Sequence, residues 1–240
     1  MTLDRITPTR RPERSNDGTQ RWRELLFVHW EVDEEALRAL VPARLSLDAY
    51  EGTHYVGLVP FKMRGTRTSW MPRGTGLDFL ETNLRCYVHY EGRPGVYFFS
   101  LEAASWLAVR VARAVWKLPY HHASMAAMED GAEVHYTSRR KDGSGANLDV
   151  RYRVGDPLGP SLPGSLEHFL LERYLLFSER GEQLLEGQVH HVPYPAHHAE
   201  VLALDEGLIA AAGLPAPARA PDLAHYAPGV DVEVFGPWPV

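Results

Sequence analysis

Residues 79–125 read FLETNLRCYVHYEGRPGVYFFSLEAASWLAVRVARAVWKLPYHHASM, and this stretch decides the fold. Strict alternation over its first twelve residues predicts a strand with polar residues on one face and apolar residues on the other. The turn residues EGRPG and the apolar run VYFF that follows them predict an antiparallel return strand. The spacing of apolar residues then becomes helical, and Pro119 ends a helix that we expect over 102–117.

Hairpins dominate the rest of the chain. Apolar runs separated by turn residues predict one hairpin around residues 51–52 and another around 141–145. A second helix is expected over 165–177, with Ser165 as its N-cap. Many strands joined mainly by hairpins indicate an α+β protein with an antiparallel, curved sheet or β-barrel-like core and outer helices.

The chain is long enough to bury one substantial core. It has 240 residues, of which 45% are hydrophobic and 23% are charged, as is ordinary for a globular protein. Residues 1–21 are polar and predict an N-terminal arm. Because no internal repeat or linker interrupts the remainder, residues 22–240 are expected to form one domain.

Composition limits the classes of function. The net charge is −6, and no basic run or basic helix interleaved with aromatic residues is present, so a nucleic-acid partner is not expected. No stretch approaches the roughly 20 apolar residues of a membrane-spanning helix, so no membrane partner is expected either. The charged, proline-containing start does not resemble a signal peptide, and the only cysteine, Cys86, fits a reducing compartment. These features predict a cytoplasmic location.

Seven blocks of the sequence carry a resemblance to a known family. In chain order, from residue 22 onward, they are LVPARLSLDAYEGTHYVGLVPF, FLETNLRCYV, PGVYFFSLEA, ARAVWKLPYHHASM, FLLERYLLF, QVHHVPYP and HYAPGVDVEVF. In these blocks the chain resembles the YqjF-like family of uncharacterised proteins, which is similar in fold to acetoacetate decarboxylase. The resemblance implies a barrel-like antiparallel core with helices packed outside and a pocket inside.

The same resemblance exposes a chemical difference. Acetoacetate decarboxylase places two lysines directly after a helix-terminating proline, and one of them forms a Schiff base with the substrate ketone. The matching run here is ARAVWKLP, followed by Tyr120 and His121, and neither of these side chains can form an imine. The only lysines are Lys62, Lys117 and Lys141, for which solvated surface or turn positions are the simpler interpretation. The decarboxylase activity is therefore not expected.

Polar residues of the first strand are candidates for a site inside the barrel. Glu81, Asn83 and Arg85 share one face at intervals of roughly 7 Å, and the resemblance implies that this face points inward. Arg85 and Asn83 are the predicted ligand-binding residues, with Arg85 holding a carboxylate in a bidentate manner. Glu81, Tyr120 and His121 are the predicted catalytic residues, as proton donors and acceptors. The alternative is that the strand residues form the solvated face of an antiparallel sheet.

Adjacent histidines raise the question of a metal site. They occur at 121–122, 190–191 and 197–198, but neighbours on a strand point to opposite faces, so each pair offers at most one ligand. No zinc-binding spacing of cysteine and histidine is present. Neither a metal nor another cofactor is therefore expected.

Two classes of function remain open at this stage. The first is an enzyme that acts on a small keto or carboxylic acid by acid/base chemistry, without a Schiff-base lysine. The second is a non-catalytic small-molecule-binding or scaffold protein on the same fold. A closed cavity lined by Glu81, Arg85 and Tyr120 favours the first, whereas a cavity filled by Phe or Trp side chains favours the second. Assembly into a homo-oligomer is compatible with both.

Overall fold

A twelve-stranded sheet dominates the computed structural model, which describes residues 3–72 and 74–240. Its strands are β1 (Gly18–Val32), β2 (Ser46–Leu47), β3 (His54–Thr68), β4 (Leu77–Tyr90), β5 (Arg93–Ala103), β6 (Tyr120–Asp130), β7 (Glu133–Arg140), β8 (Asn147–Pro157), β9 (Leu175–Arg180), β10 (Gln183–His190), β11 (His197–Glu206) and β12 (Leu223–Pro239). The α-helices are α1 (Glu34–Arg38), α2 (Trp106–Val115), α3 (Leu166–Leu171) and α4 (Leu208–Ala211), and a 3₁₀ turn spans Thr7–Thr9. Within the described residues, no helix has the length and apolar character needed to cross a membrane.

The sheet closes on itself in a ring-like manner. Its strand order is β10-β9-β5-β6-β7-β8-β11-β12-β1-β3-β4-β2, and β10 also pairs with β12 while β5 also pairs with β4. The two extra pairings produce a smaller ring through β9 and β10 and a larger ring through β6, β7, β8 and β11, with the remaining long strands shared. Among the described residues, only the β5–β6 and β5–β9 pairings are parallel. The predicted antiparallel α+β sheet with few helices is therefore confirmed.

The shared strands β1, β3 and β4 have both faces buried along their central stretches. They send alternate side chains into two hydrophobic clusters, which we name the first core and the second core. The first core contains Phe27, Tyr87 and Phe169, and the second contains Val28, Cys86 and Tyr152. Because side chains alternate along a strand, the polar residues of β4 at odd positions lie on the side of the first core.

Local structure differs from the sequence-based expectation at both predicted helices. Ser105 caps α2 by accepting a hydrogen bond from the Ala108 amide at 3.2 Å, so the helix begins at Trp106, and residues 102–103 of the predicted helix belong to β5. Ser165 caps α3 as predicted, but that helix ends at Leu171 and the chain continues as β9. The apolar spacing over 165–177 combined a short buried helix with the start of a buried strand, which periodicity alone does not separate.

The N-terminal segment is attached to the sheet. β1 begins at Gly18, so the last residues of the predicted arm are strand. Ahead of β1, Arg5 binds both carboxylate oxygens of Asp48 at 2.7 Å, and the Gln188 side chain donates to the Pro8 carbonyl at 2.9 Å. A single domain over 22–240 stays a prediction.

Asp48 is the centre of a buried ion pair, and its removal tests how strongly this region is held. The Asp48 and Arg173 side chains are each 2% exposed and lie 2.7 Å apart. We expect Asp48→Asn to lower the free energy of unfolding by about 3 kcal/mol, because Arg173 would stay buried without a counter-charge. Urea denaturation measures this change. Glu200→Gln is the control: it breaks an exposed pair with Arg153 and should change stability by less than about 1 kcal/mol. Equal effects of the two substitutions would contradict the conclusion that the buried Asp48–Arg173 pair stabilises the fold more than an exposed pair does.

Candidate functional site

Glu81 and Tyr120 form a buried hydrogen-bonded pair in the first core. Glu81 lies on β4 and is 2% exposed, and Tyr120 is the first residue of β6. Both residues lie beside β5. Tyr120 pairs with Leu101 in the parallel direction, and Glu81 pairs with Ala103 in the antiparallel direction. The Tyr120 hydroxyl donates to Oε2 of Glu81 at 2.9 Å. The structure thus brings together two of the three predicted catalytic residues.

The environment of Glu81 favours its protonated form. Burial raises its pKa, the hydrogen bond from Tyr120 lowers it, and the nearby Glu102 carboxylate raises it, with the result that the pKa of Glu81 is about 8. Burial and the adjacent Glu81 also raise the pKa of Tyr120 well above its ordinary value. At neutral pH the pair is therefore mainly a carboxylic acid beside a phenol, an arrangement that can donate a proton to a bound molecule.

Arg85 is a buried cation in the same core. It is 7% exposed, and its Nη2 donates to the Leu170 carbonyl at 3.2 Å. Its guanidinium carbon lies 5.5 Å from the centre of the Phe27 ring and 5.8 Å from that of Tyr87. Among the described residues, no carboxylate forms an ion pair with Arg85, and its Nε has no hydrogen-bond partner.

The missing counter-charge distinguishes Arg85 from the other buried arginines. Arg140 binds the buried carboxylate of Glu102 at 2.6 Å, and Arg173 binds that of Asp48 at 2.7 Å. Burying an unpaired charge is costly, so proteins normally compensate it with an opposite charge or a set of hydrogen bonds. Arg85 therefore has unused capacity to bind an anion.

Asn83 lies between Glu81 and Arg85 on the same face of β4. It is buried, and its Oδ1 has no hydrogen-bond partner among the described residues. Its backbone neighbours across the sheet are Val59 and Leu101, both of which are core residues. Because all three polar residues are buried, this side of β4 is not the solvated face of a sheet.

His121 does not join the pair formed by Glu81 and Tyr120. Its Nδ1 lies 3.2 Å from Oδ2 of Asp142, and its side chain is partly exposed. Burial and the positive charge of Arg140 lower the pKa of His121, although Asp142 opposes them. Adjacent residues on a strand point to opposite faces, so Tyr120 on the first core directs His121 away from it. The predicted acid/base pair of Tyr120 and His121 is therefore not formed.

His191 and Tyr194 are interior residues that sequence reasoning missed. The His191 ring stacks on Tyr174 at 4.5 Å and contacts Tyr194 at 4.6 Å between ring centres. Its Nδ1 donates to the Val192 carbonyl at 2.7 Å, and burial lowers the pKa of His191 to about 4. The block QVHHVPYP contains both residues, and strand alternation after His190, whose Nδ1 contacts the Thr9 carbonyl, would have directed His191 inward.

Lys62 has an environment that disfavours imine chemistry. Its ammonium group lies 2.5 Å from Glu24 and also contacts Glu129. Burial opposes the charged form, but hydrogen bonds from the amine to these two carboxylates outweigh it and raise the pKa of Lys62. Within the described part of the chain, no group of three or more His, Cys, Asp or Glu residues could hold a metal ion.

Comparison with known protein sequences gives a family match and a curated relative. Residues 19–231 match the model of a family described as "Uncharacterized conserved protein (COG2071)", DUF2071. The "Uncharacterized protein YqjF" of Bacillus subtilis (strain 168) is 38% identical over 222 residues, which are 92% of this chain and 90% of that protein.

Solved structures with a similar fold are enzymes. An acetoacetate decarboxylase from Legionella pneumophila superposes with a TM-score of 0.65 at 14% identity, over 96% of this chain and 91% of its own. The enduracididine biosynthesis enzyme MppR, complexed with pyruvate, gives a TM-score of 0.65 at 13% identity, over 95% and 91%. An acetoacetate decarboxylase-like enzyme from Sphingomonas wittichii RW1 gives 0.62 at 14% identity, over 95% and 94%. At these identities the likeness shows the fold alone.

The raised pKa of Glu81 predicts a specific pH dependence of stability. Between the ordinary value of 4.5 and about 8, the unfolded chain has released the Glu81 proton and the folded chain retains it. The free energy of unfolding should therefore fall with rising pH, by up to about 1.4 kcal/mol per pH unit from this group. Glu81→Gln should remove that contribution, whereas the exposed control Glu200→Gln should not. Urea denaturation at several pH values between 5 and 8 measures the slopes, and identical slopes in all three proteins would contradict the assignment.

Proposed function

The chain belongs to the DUF2071 family of uncharacterized conserved proteins, and from the polar residues of its first core we propose that it binds a small keto or carboxylic acid. In this proposal Arg85 holds the ligand carboxylate and Asn83 lies beside it. Glu81 and Tyr120 transfer protons to and from the ligand. The observation that carries the proposal is the buried guanidinium of Arg85, which has no carboxylate partner among the described residues.

The chemistry proposed for this site is acid/base catalysis without a Schiff base. Glu81, with a pKa of about 8, is mainly protonated at neutral pH and would first act as an acid toward a carbonyl oxygen of the ligand. Tyr120 would steady the carboxylate that this step produces, because its hydroxyl already donates to Oε2. His121 has no part in this step, since it lies against Asp142. The low polarity of the surrounding core strengthens each of these interactions.

Fold and ligand class support this proposal by analogy. The enzyme MppR has a similar fold and was solved with pyruvate, a small keto acid. Its identity to this chain is 13%, so the analogy concerns the fold that holds the ligand and not the residues that contact it.

A non-catalytic binding or scaffold protein is the second candidate. Aromatic packing around Arg85 favours it, because the rings of Phe27 and Tyr87 lie directly against the guanidinium and Phe169 packs on Tyr87 at 5.0 Å. In this case Arg85 would still bind an organic acid in the first core, but the protein would not catalyse a reaction. A cytoplasmic location and assembly into a homo-oligomer stay predictions for both candidates.

Binding of a keto acid tests the proposed site directly. We expect pyruvate or acetoacetate to bind the wild-type protein, and Arg85→Met to weaken that binding at least about tenfold, because a charge-assisted hydrogen-bonded pair would be lost. Titration calorimetry measures the affinity. Arg110→Met is the matched control, since Arg110 is exposed on α2 and stacks on Trp106. Arg85→Lys provides a second variant that retains the charge if Arg85→Met folds poorly.

The same ligands separate the two candidate functions. Exchange of the pyruvate methyl protons with deuterated water, followed by NMR, reports proton transfer at carbon. The enzyme predicts exchange that Glu81→Gln slows by about 100-fold or more while binding persists. Binding without exchange in the wild-type protein would establish the second candidate. Absence of binding, or equal binding by wild type and Arg85→Met, would refute the proposed site.

Decarboxylation through an imine is not expected. Tyr120 and His121 follow Pro119 where the decarboxylase has its lysines, and Lys62 is held as an ammonium group by two carboxylates. Borohydride treatment in the presence of acetoacetate, followed by mass spectrometry, should yield no covalent adduct. A stoichiometric adduct on Lys62 or Lys117, lost together with carbon dioxide release when that lysine is changed to Met, would overturn this prediction.

A further inference from the structure

A groove on the outer surface of the sheet is distinct from the site in the first core. It has a volume of about 630 Å³ and lies where β1, β12 and the end of β3 meet the segment between β3 and β4. Its charged lining residues are Arg21, Arg67, Asp78, Asp231 and Glu233. Val230, Val232 and Val234 of β12 belong to the first core, so Asp231 and Glu233 between them point to the opposite, outer face.

The carboxylates of the groove are already neutralised. Each of them pairs with an arginine that is not part of the lining: Asp231 with Arg23, Glu233 with Arg11 at 2.6 Å, and Asp78 with Arg64 at 3.3 Å. Arg21 and Arg67, in contrast, form no ion pair with any carboxylate in the described part of the chain. These two guanidinium groups therefore give the groove an excess of positive charge, on a chain whose net charge is −6.

Glycines allow the arginines to line the groove. Gly65 has a φ of +58°, and a Cβ atom built there would lie 3.0 Å from Nη2 of Arg21. The guanidinium thus lies directly against the backbone of β3. A Cβ atom on Gly76 would lie 2.5 Å from the Gly65 carbonyl carbon, so the returning segment also packs on β3 backbone to backbone. The groove is consequently bounded in part by main chain, with the exposed Arg21 side chain against Gly65.

The chemistry of the groove selects a class of ligand. Guanidinium groups bind phosphate through paired hydrogen bonds, and a phosphate monoester carries a charge of about −1.5 to −2 at neutral pH, which two arginines match. The volume falls within the range of about 300–1,000 Å³ that is typical of small-molecule sites. We propose that this groove binds a small molecule bearing a phosphate group, with Arg21 and Arg67 as the residues that hold the phosphate.

A small ligand fits the charge distribution better than a nucleic acid does. Binding of a polymer of phosphates needs an extended basic surface, because neutralising many phosphates supplies most of the affinity. Here Arg21 and Arg67, which form no ion pair in the described part of the chain, lie beside three carboxylates that are each paired with another arginine. The chain as a whole is acidic. The site is also independent of Arg85 and of the function proposed for the first core.

Calorimetric titration with pyrophosphate tests this site, with acetate as a monoanion for comparison. We expect pyrophosphate to bind more tightly than acetate, and Arg21→Gln and Arg67→Gln each to weaken it at least about tenfold. The control Arg110→Gln, which removes an exposed arginine on α2, should bind pyrophosphate as the wild-type protein does. Circular dichroism verifies that every variant is folded.

Several outcomes would overturn the proposal. Pyrophosphate that does not bind at millimolar concentration, or that binds Arg21→Gln and Arg67→Gln as tightly as it binds the wild-type protein, would exclude the site. An equal loss in Arg110→Gln would show a general charge effect rather than a groove. A single-stranded oligonucleotide that binds far more tightly than pyrophosphate and depends on the same two arginines would replace the small molecule by a nucleic acid.

Discussion

The structure depends on strands that are buried on both faces. Along their buried stretches β1, β3 and β4 contribute alternate side chains to the first and the second core, whereas the start of β1 and the end of β3 also carry exposed residues. A polar residue within such a buried stretch cannot reach bulk water and must find its partner inside the protein. Glu102, on β5, meets this requirement with Arg140, while Glu81 meets it in part with Tyr120. Among the described residues, Arg85 has the Leu170 carbonyl and the rings of Phe27 and Tyr87 as partners but no carboxylate, and this missing counter-charge is the reason to propose a ligand for it.

Alternation along β4 was readable from the sequence, and so was the separation of Glu81, Asn83 and Arg85 from their neighbours. The environment of the other face could not be predicted from the sequence. Its residues can border solvent or a second core equally well; they are Leu80, Thr82, Leu84, Cys86 and Val88. The β4–β5 hairpin was predicted from its turn, but the β10–β12 pairing that also closes the sheet was not, since it joins segments distant in the chain. The resemblance to a known family supplied what periodicity could not.

The candidate site shows the same division between local and long-range information. The pairing of Tyr120 with Glu81 needs β6 to lie parallel to β5, and no local pattern around Pro119 specifies that register. The sequence-based prediction groups His121 with Tyr120 because the resemblance places both where the lysine pair would lie, yet neighbouring residues on a strand point to opposite faces. His191 was considered only as a metal ligand, whereas its position between Tyr174 and Tyr194 makes it part of the aromatic interior. Each of these differences arises from tertiary packing and not from a misjudged propensity.

By the resemblance to acetoacetate decarboxylase, Tyr120 and His121 stand where that enzyme has a lysine pair, and this difference would change the kind of chemistry that the interior can support. An imine requires an amine that burial or a nearby cation keeps neutral, and the buried carboxyl group of Glu81 would instead favour the charged ammonium form once ionised. With a phenol in that place, Glu81 has no cation beside it, burial dominates, and its pKa rises to about 8. The interior thereby holds a protonated acid near one end of β4 and an unpaired guanidinium two alternating positions away. In the proposed function these two side chains would contact different groups of one ligand, and the reaction would be acid/base chemistry rather than covalent catalysis through an imine.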